Sequence, residues 1–157
     1  MTKEKKQEYT LRISSANRTE LIEILYEMLL DYTKEAEEAV ERGEAVSVKE
    51  SVRKAKGCVS RLIDSVVREN DLADNFMSLY KYVIRELTLG DIRLDKKNFE
   101  NVQKVIQPLK NTYLEIIKTD KSAPVMTNTQ TVVAGLTYSK NDINEALDEN
   151  EKRGFYV

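Results

Sequence analysis

The sequence predicts an all-α fold: an antiparallel up-and-down four-helix bundle over 17–119, with an N-terminal arm over 1–16 and a C-terminal tail over 120–157. Three observations carry that prediction. The first half of the stretch from Asn17 to Val40 is apolar almost all the way round at helical period, three later stretches repeat apolar residues at steps of three and four, and the connections between them are short. Short connections make neighbours antiparallel. No internal repeat is visible.

Taken in order, residues 1–8 are polar, and Tyr9, Leu11 and Ile13 then alternate with polar residues in an extended pattern that suits a groove. Asn17 opens the first bundle helix, with Glu20 placed three residues on to complete a capping box. The helix runs to about Arg42 and stops at Gly43, which takes the left-handed C′ conformation most easily. Within it, Leu21, Ile22, Ile24, Leu25, Tyr26, Met28, Leu29, Leu30 and Tyr32 are interrupted only by Glu23, Glu27 and Asp31. Those acids stand four apart and make one narrow polar stripe, read as a solvated face rather than a cation site or an acid–base pair. So apolar a helix needs cover on more than one side, from neighbouring helices or from a partner.

Ser47 to Glu50 forms a second capping box ahead of Val48, Val52, Ala55, Val59, Leu62 and Val66, a heptad seam. Asn70 or Asp71 caps a third helix with the seam Leu72, Phe76, Leu79, Val83 and Leu87, flanked by Tyr80 and Ile84 and ended by Gly90. Asp95 caps a fourth with Phe99, Val102, Ile106, Leu109, Tyr113 and Ile116, bent at Pro108. After Thr119 the composition turns polar, with a β-like run from Val132 to Tyr138 and a short helix from Asp142 to Asn150.

The 25 basic and 27 acidic side chains nearly cancel, which argues against nucleic acid or an anionic membrane as the main partner. With no histidine, the chain lacks Ser-His and Cys-His catalysis and the usual zinc and di-iron helix motifs. Cys58 is the single cysteine and reads as a buried thiol in a reducing compartment. Tyr26, Tyr80 and Tyr82 read as core or interface rather than a cofactor cage. The expectation is a non-enzyme with no cofactor or metal, no signal peptide and no membrane insertion.

Two runs resemble the FliS family of flagellar secretion chaperones. The family's first helix opens with Thr/Ser-Ala-Ser-Pro, then Leu-Ile and Leu-Tyr/Phe-Asp-Gly; here stand Ser15-Ala16-Asn17-Arg18, Leu21-Ile22 and Leu25-Tyr26-Glu27-Met28. Its third helix carries Asn-Leu, Leu-Tyr-Asp-Tyr-Met and Arg-Leu; here stand Asn75-Phe76, Leu79-Tyr80-Lys81-Tyr82-Val83 and Arg85-Glu86-Leu87. The resemblance spans Ile13 to Ile117. Arg18 replaces the family's proline, Met28 its glycine, Glu69-Asn70 its paired glycines and Lys81 its aspartate.

The resemblance implies a cytoplasmic chaperone that binds the C-terminal segment of flagellin, prevents its premature polymerisation and hands it to the flagellar export gate. Ile24, Met28, Tyr80 and Ile84 are the expected client contacts, with Leu21, Leu25, Leu79 and Val83 holding the core. Tyr9, Leu11 and Ile13 are expected to form a movable cover over the client surface, as the resemblance suggests. In the tail, Val132, Leu136 and Tyr138 are expected to dock on the bundle in the client's place. A helical regulatory or assembly module binding another amphipathic segment fits the same heptad seams.

Overall fold

The computed structural model describes residues 1–126. The β-like run, the terminal helix and the tail-docking residues Val132, Leu136 and Tyr138 all lie outside that range. The described residues form five α-helices: α1 (Lys3–Ser15), α2 (Arg18–Glu41), α3 (Ala45–Ser65), α4 (Ala73–Arg93) and α5 (Lys96–Ile117).

The ends of α2 are built as the sequence predicts. Asn17 accepts from the Glu20 N–H at 2.9 Å while the Glu20 carboxylate accepts from the Asn17 N–H at 2.8 Å. At the other end Gly43 takes φ +71°, its N–H donates to the Val40 carbonyl at 3.0 Å, and the Glu44 N–H donates to Ala39 at 2.9 Å. This is a Schellman close, which satisfies two of the helix's last carbonyls. The Glu44 carbonyl accepts from Val48 at 3.0 Å, so α3 starts at Ala45 directly after that turn. The predicted Ser47–Glu50 capping box is therefore not used.

Two further boundaries differ from expectation. Asn70 shapes the turn before α4, accepting from Leu72 N–H at 3.0 Å, but the helix begins only at Ala73. Leu72 consequently stays exposed instead of joining the seam. Gly90 does not end α4, which runs on to Arg93 and closes on Leu94 in the left-handed region. Gly90 is buried inside the helix, where an added Cβ would stand 2.7 Å from two ring atoms of Phe99. Its missing side chain lets α5 approach α4. Asp95 caps α5 as predicted, accepting from Lys97 N–H at 3.0 Å, and the helix continues through Pro108.

Helices α2 to α5 pack in a ring, each against two of the others. Their seams meet in one core: Val48, Val52, Ala55, Val59 and Leu62 of α3 face Leu29 of α2, Val83 and Leu87 of α4, and Phe99, Val102 and Ile106 of α5, all fully buried. Contacts pair the start of α2 with the end of α5 and the reverse, as Lys110 meets Glu23 and Gln103 donates to Glu37 at 2.7 Å. Among the described residues no helix is long and apolar enough to cross a membrane.

The N-terminal segment is a helix, not the extended arm its alternation suggested. Thr2 caps it by accepting from Lys5 N–H at 3.3 Å, with Glu4 in the first turn and Arg12 in the last to suit the helix dipole. At 13 residues and mostly polar, such a helix is marginal in isolation and depends on what it rests against.

Candidate functional site: the seat of α1 on α2

α1 lies along α2, held by an apolar contact and a row of charges. Tyr9, Ala16 and Ile24 are buried together, and Ile13, Leu21 and Met28 pack around them. Beside this contact the acids of α2 meet groups of α1. Arg12 reaches Glu27 at 2.8 Å and Glu23 at 3.1 Å, Lys5 reaches Asp31 at 2.6 Å, and the Tyr9 hydroxyl donates to Asp31. Lys110 of α5 approaches Glu23 from its other side at 3.7 Å. The stripe expected to be solvated is instead the polar half of a helix–helix contact.

Burial sets the electrostatics. Glu23 is 4% exposed, and that burial, then the nearby charge of Glu27, raises its pKa above the ordinary carboxylate value while Arg12 and Lys110 pull it back. Burial works against the Arg12 charge, but the hydrogen bond and attraction of Glu27, then Glu23, outweigh it and hold the guanidinium above its usual range. Burial, then the bond to Asp31, raises the Tyr9 phenol, so it stays a neutral donor.

The residues expected to act as a cover separate. Tyr9 and Ile13 are one helical turn apart and face α2, whereas Leu11 points away and is 62% exposed. The four expected client contacts do not form one surface either. Ile24 and Met28 lie under α1, Ile84 is half-buried against the main core, and Tyr80 is inside it. Ile24 and Tyr80 are thus not surplus apolar groups, for physical reasons the residues themselves supply. Ile24 gains α1 as an added layer, and Tyr80 places its hydroxyl 2.7 Å from that of Tyr26. Of the expected core set, Val83 is fully buried and Leu21, Leu25 and Leu79 are half-buried.

Where α2 begins and α5 ends, the seams splay around a cavity of about 280 Å³ lined by Ile22, Val66, Phe76, Tyr80, Tyr113 and Ile116 among others. Burial pushes the Tyr80 phenol at its inner wall up to about 12. Tyr113 meets the Tyr26 ring edge-on with centroids 5.6 Å apart. Cys58 is buried, which pushes its thiol up to about 11, consistent with a packing role.

The segment after α5 turns back over the α1–α2 junction. Asp120 accepts from Ser122 N–H at 2.9 Å and from the Thr19 hydroxyl, and Val125 N–H donates to the Ala16 carbonyl at 3.0 Å. The peptide unit joining α1 to α2 is therefore held on both sides, by Val125 at its carbonyl and by Glu20 at its N–H.

Residues 1–120 match the family model described as Flagellar protein FliS. The chain belongs to the FliS family. The match takes in α1 and its seat on α2 together with the whole ring of helices, and it assigns the chain a flagellar chaperone role with flagellar proteins as partners. No curated protein matches the chain.

Proposed function

We propose that the chain is a cytoplasmic export chaperone that binds the C-terminal segment of flagellin, prevents its premature polymerisation and delivers it to the flagellar export apparatus. The observation that carries this reading is the docked α1. A polar helix resting on Leu21, Ile24 and Met28 keeps an apolar row out of water while the chaperone is empty. Its removal opens that row to an amphipathic client segment, which lays its own apolar side chains against α2. Tyr9 and Ile13 are the covering residues, and Ile24 and Met28 are the client contacts beneath them, whereas Ile84 and Tyr80 belong to the main core and lie outside this seat. The frame for this exchange is a bundle of four helices running alternately up and down. Ordering a poorly folded client keeps affinity moderate for the area buried, which suits a cargo that must be released.

Titration calorimetry of the full chain with a synthetic peptide of the cognate flagellin C-terminal segment tests the reading. The expected result is saturable heat at one peptide per chain, with co-elution on size-exclusion chromatography. No heat and no elution shift at tens of micromolar peptide would contradict it.

A further inference from the structure

We propose that the client segment taking the place of α1 carries a lysine or arginine within one helical turn of its apolar anchors, which pairs with Glu23 and Glu27. This inference rests on the chaperone reading above and specifies the chemistry of the client.

The floor of the seat is not a plain apolar groove, because the carboxylate of Glu23 lies in it, almost wholly buried, with Glu27 one turn further along α2. Two cations compensate these acids. Lys110 belongs to the bundle and stays when α1 leaves, but at 3.7 Å from Glu23 and 3.9 Å from Glu27 it is the looser partner. Arg12 is the closer one and departs with α1.

An empty seat lets water solvate the acids. A client that lies over Leu21, Ile24 and Met28 removes that water again, and a buried carboxylate without a hydrogen-bonded cation is unfavourable. A segment that brings apolar groups alone must therefore leave Glu23 and Glu27 to Lys110. One that brings a cation in register restores what α1 supplied.

α1 itself shows the register. Arg12 stands three residues after Tyr9 and one before Ile13, so a single helix face seats both anchors while its edge delivers the guanidinium to the acids. Lys5 repeats the arrangement one turn before Tyr9, against Asp31 at 2.6 Å. The apolar row sets where a client lies, and the acids select among amphipathic segments by charge.

The test uses the full chain, its Glu27→Gln variant and a Glu23→Gln/Glu27→Gln double variant, each titrated with the flagellin C-terminal peptide and with versions in which one lysine or arginine at a time becomes glutamine. Melting temperatures confirm that the variants fold, and Glu27, at the rim, is the substitution that least disturbs the core. Weakening the acids also loosens α1, so absolute affinities shift for every peptide; the ratio between the unmodified and the substituted peptide cancels that effect. The expected result is one position at which glutamine weakens binding to the native chain about tenfold or more while the ratio falls toward one in the variants. If every cation-to-glutamine change leaves the ratio equal in native and variant chains, the inference fails and the chaperone reading stands. If the unmodified peptide binds none of the chains, both fail.

Discussion

Gly90 of α4 faces the ring of Phe99 of α5 so closely that a methyl group on it would meet two ring atoms at 2.7 Å. Phe99 is fully buried, so its ring can yield only by displacing other core side chains. Replacing a mid-helix glycine by alanine gains about 1 kcal/mol in propensity, whereas overpacking a close helix contact costs about 1–3 kcal/mol. Gly90→Ala is therefore expected to lower stability in urea unfolding by up to about 2 kcal/mol, with client affinity unchanged. A stabilised variant would mean that the ring moves aside.

The hydroxyls of Tyr26 and Tyr80 satisfy each other in the core at 2.7 Å. Removing one leaves the other buried without its partner, which costs about 1–3 kcal/mol; removing both leaves neither. Tyr26→Phe is expected to destabilise the chain, and Tyr26→Phe/Tyr80→Phe to recover part of the loss. Additive losses in the double-mutant cycle would show that the hydroxyl pair is not coupled.

Glu86 accepts from the Asn98 and Asn101 amides at 2.9 and 3.0 Å in a buried position between α4 and α5. The Asn101 bond, and with it that of Asn98, holds its pKa below the ordinary carboxylate value despite burial. A lowered folded pKa means that the stabilisation is fully present above the unfolded value of about 4.3 and is lost as pH falls through the lower folded value. Glu86→Gln is expected to flatten the fall in stability below about pH 4.3 relative to the native chain. An unchanged acid limb in thermal unfolding from pH 7 to pH 3 would contradict this.

Arg12 ties α1 to two carboxylates yet is itself about one-third exposed, at 33%, so solvent discounts its contribution to about 1 kcal/mol. Arg12→Gln is expected to open the seat more often and raise flagellin-peptide affinity by up to about fivefold, because a competing cover lowers apparent affinity by the fraction of time it is closed. Bundle stability should hardly change. Equal affinities by calorimetry would show that α1 does not compete.

Much of the bundle was legible in the residues. The α3 seam from Val48 to Leu62 is buried at every step, and the Asn17 and Asp95 caps hold as read. Gly90 misled because a glycine near a helix end and one at a helix crossing look alike in sequence, and only the approach of Phe99 separates them. The N-terminal helix was missed because Tyr9, Leu11 and Ile13 satisfy period two, while the i, i+4 pair Tyr9 and Ile13 satisfies helical period equally well. A signal did exist: Lys5 and Arg12 mirror Glu23, Glu27 and Asp31, whose four-residue spacing admits a second helix laid antiparallel along the stripe. Reading that stripe as solvated concealed it. Ile24 then looked surplus, since nothing in its own helix reveals the layer that covers it.

Amide hydrogen exchange resolved along the chain observes directly whether the client takes the seat that α1 occupies. In the free chain, amides from Tyr9 to Ser15 should be protected by docking on α2, whose own amides are protected throughout. With saturating flagellin C-terminal peptide, the α1 amides should exchange rapidly while those of α2 beneath Ile24 and Met28 stay protected. Protection of α1 that persists unchanged when the peptide is bound would place the client elsewhere and contradict the account.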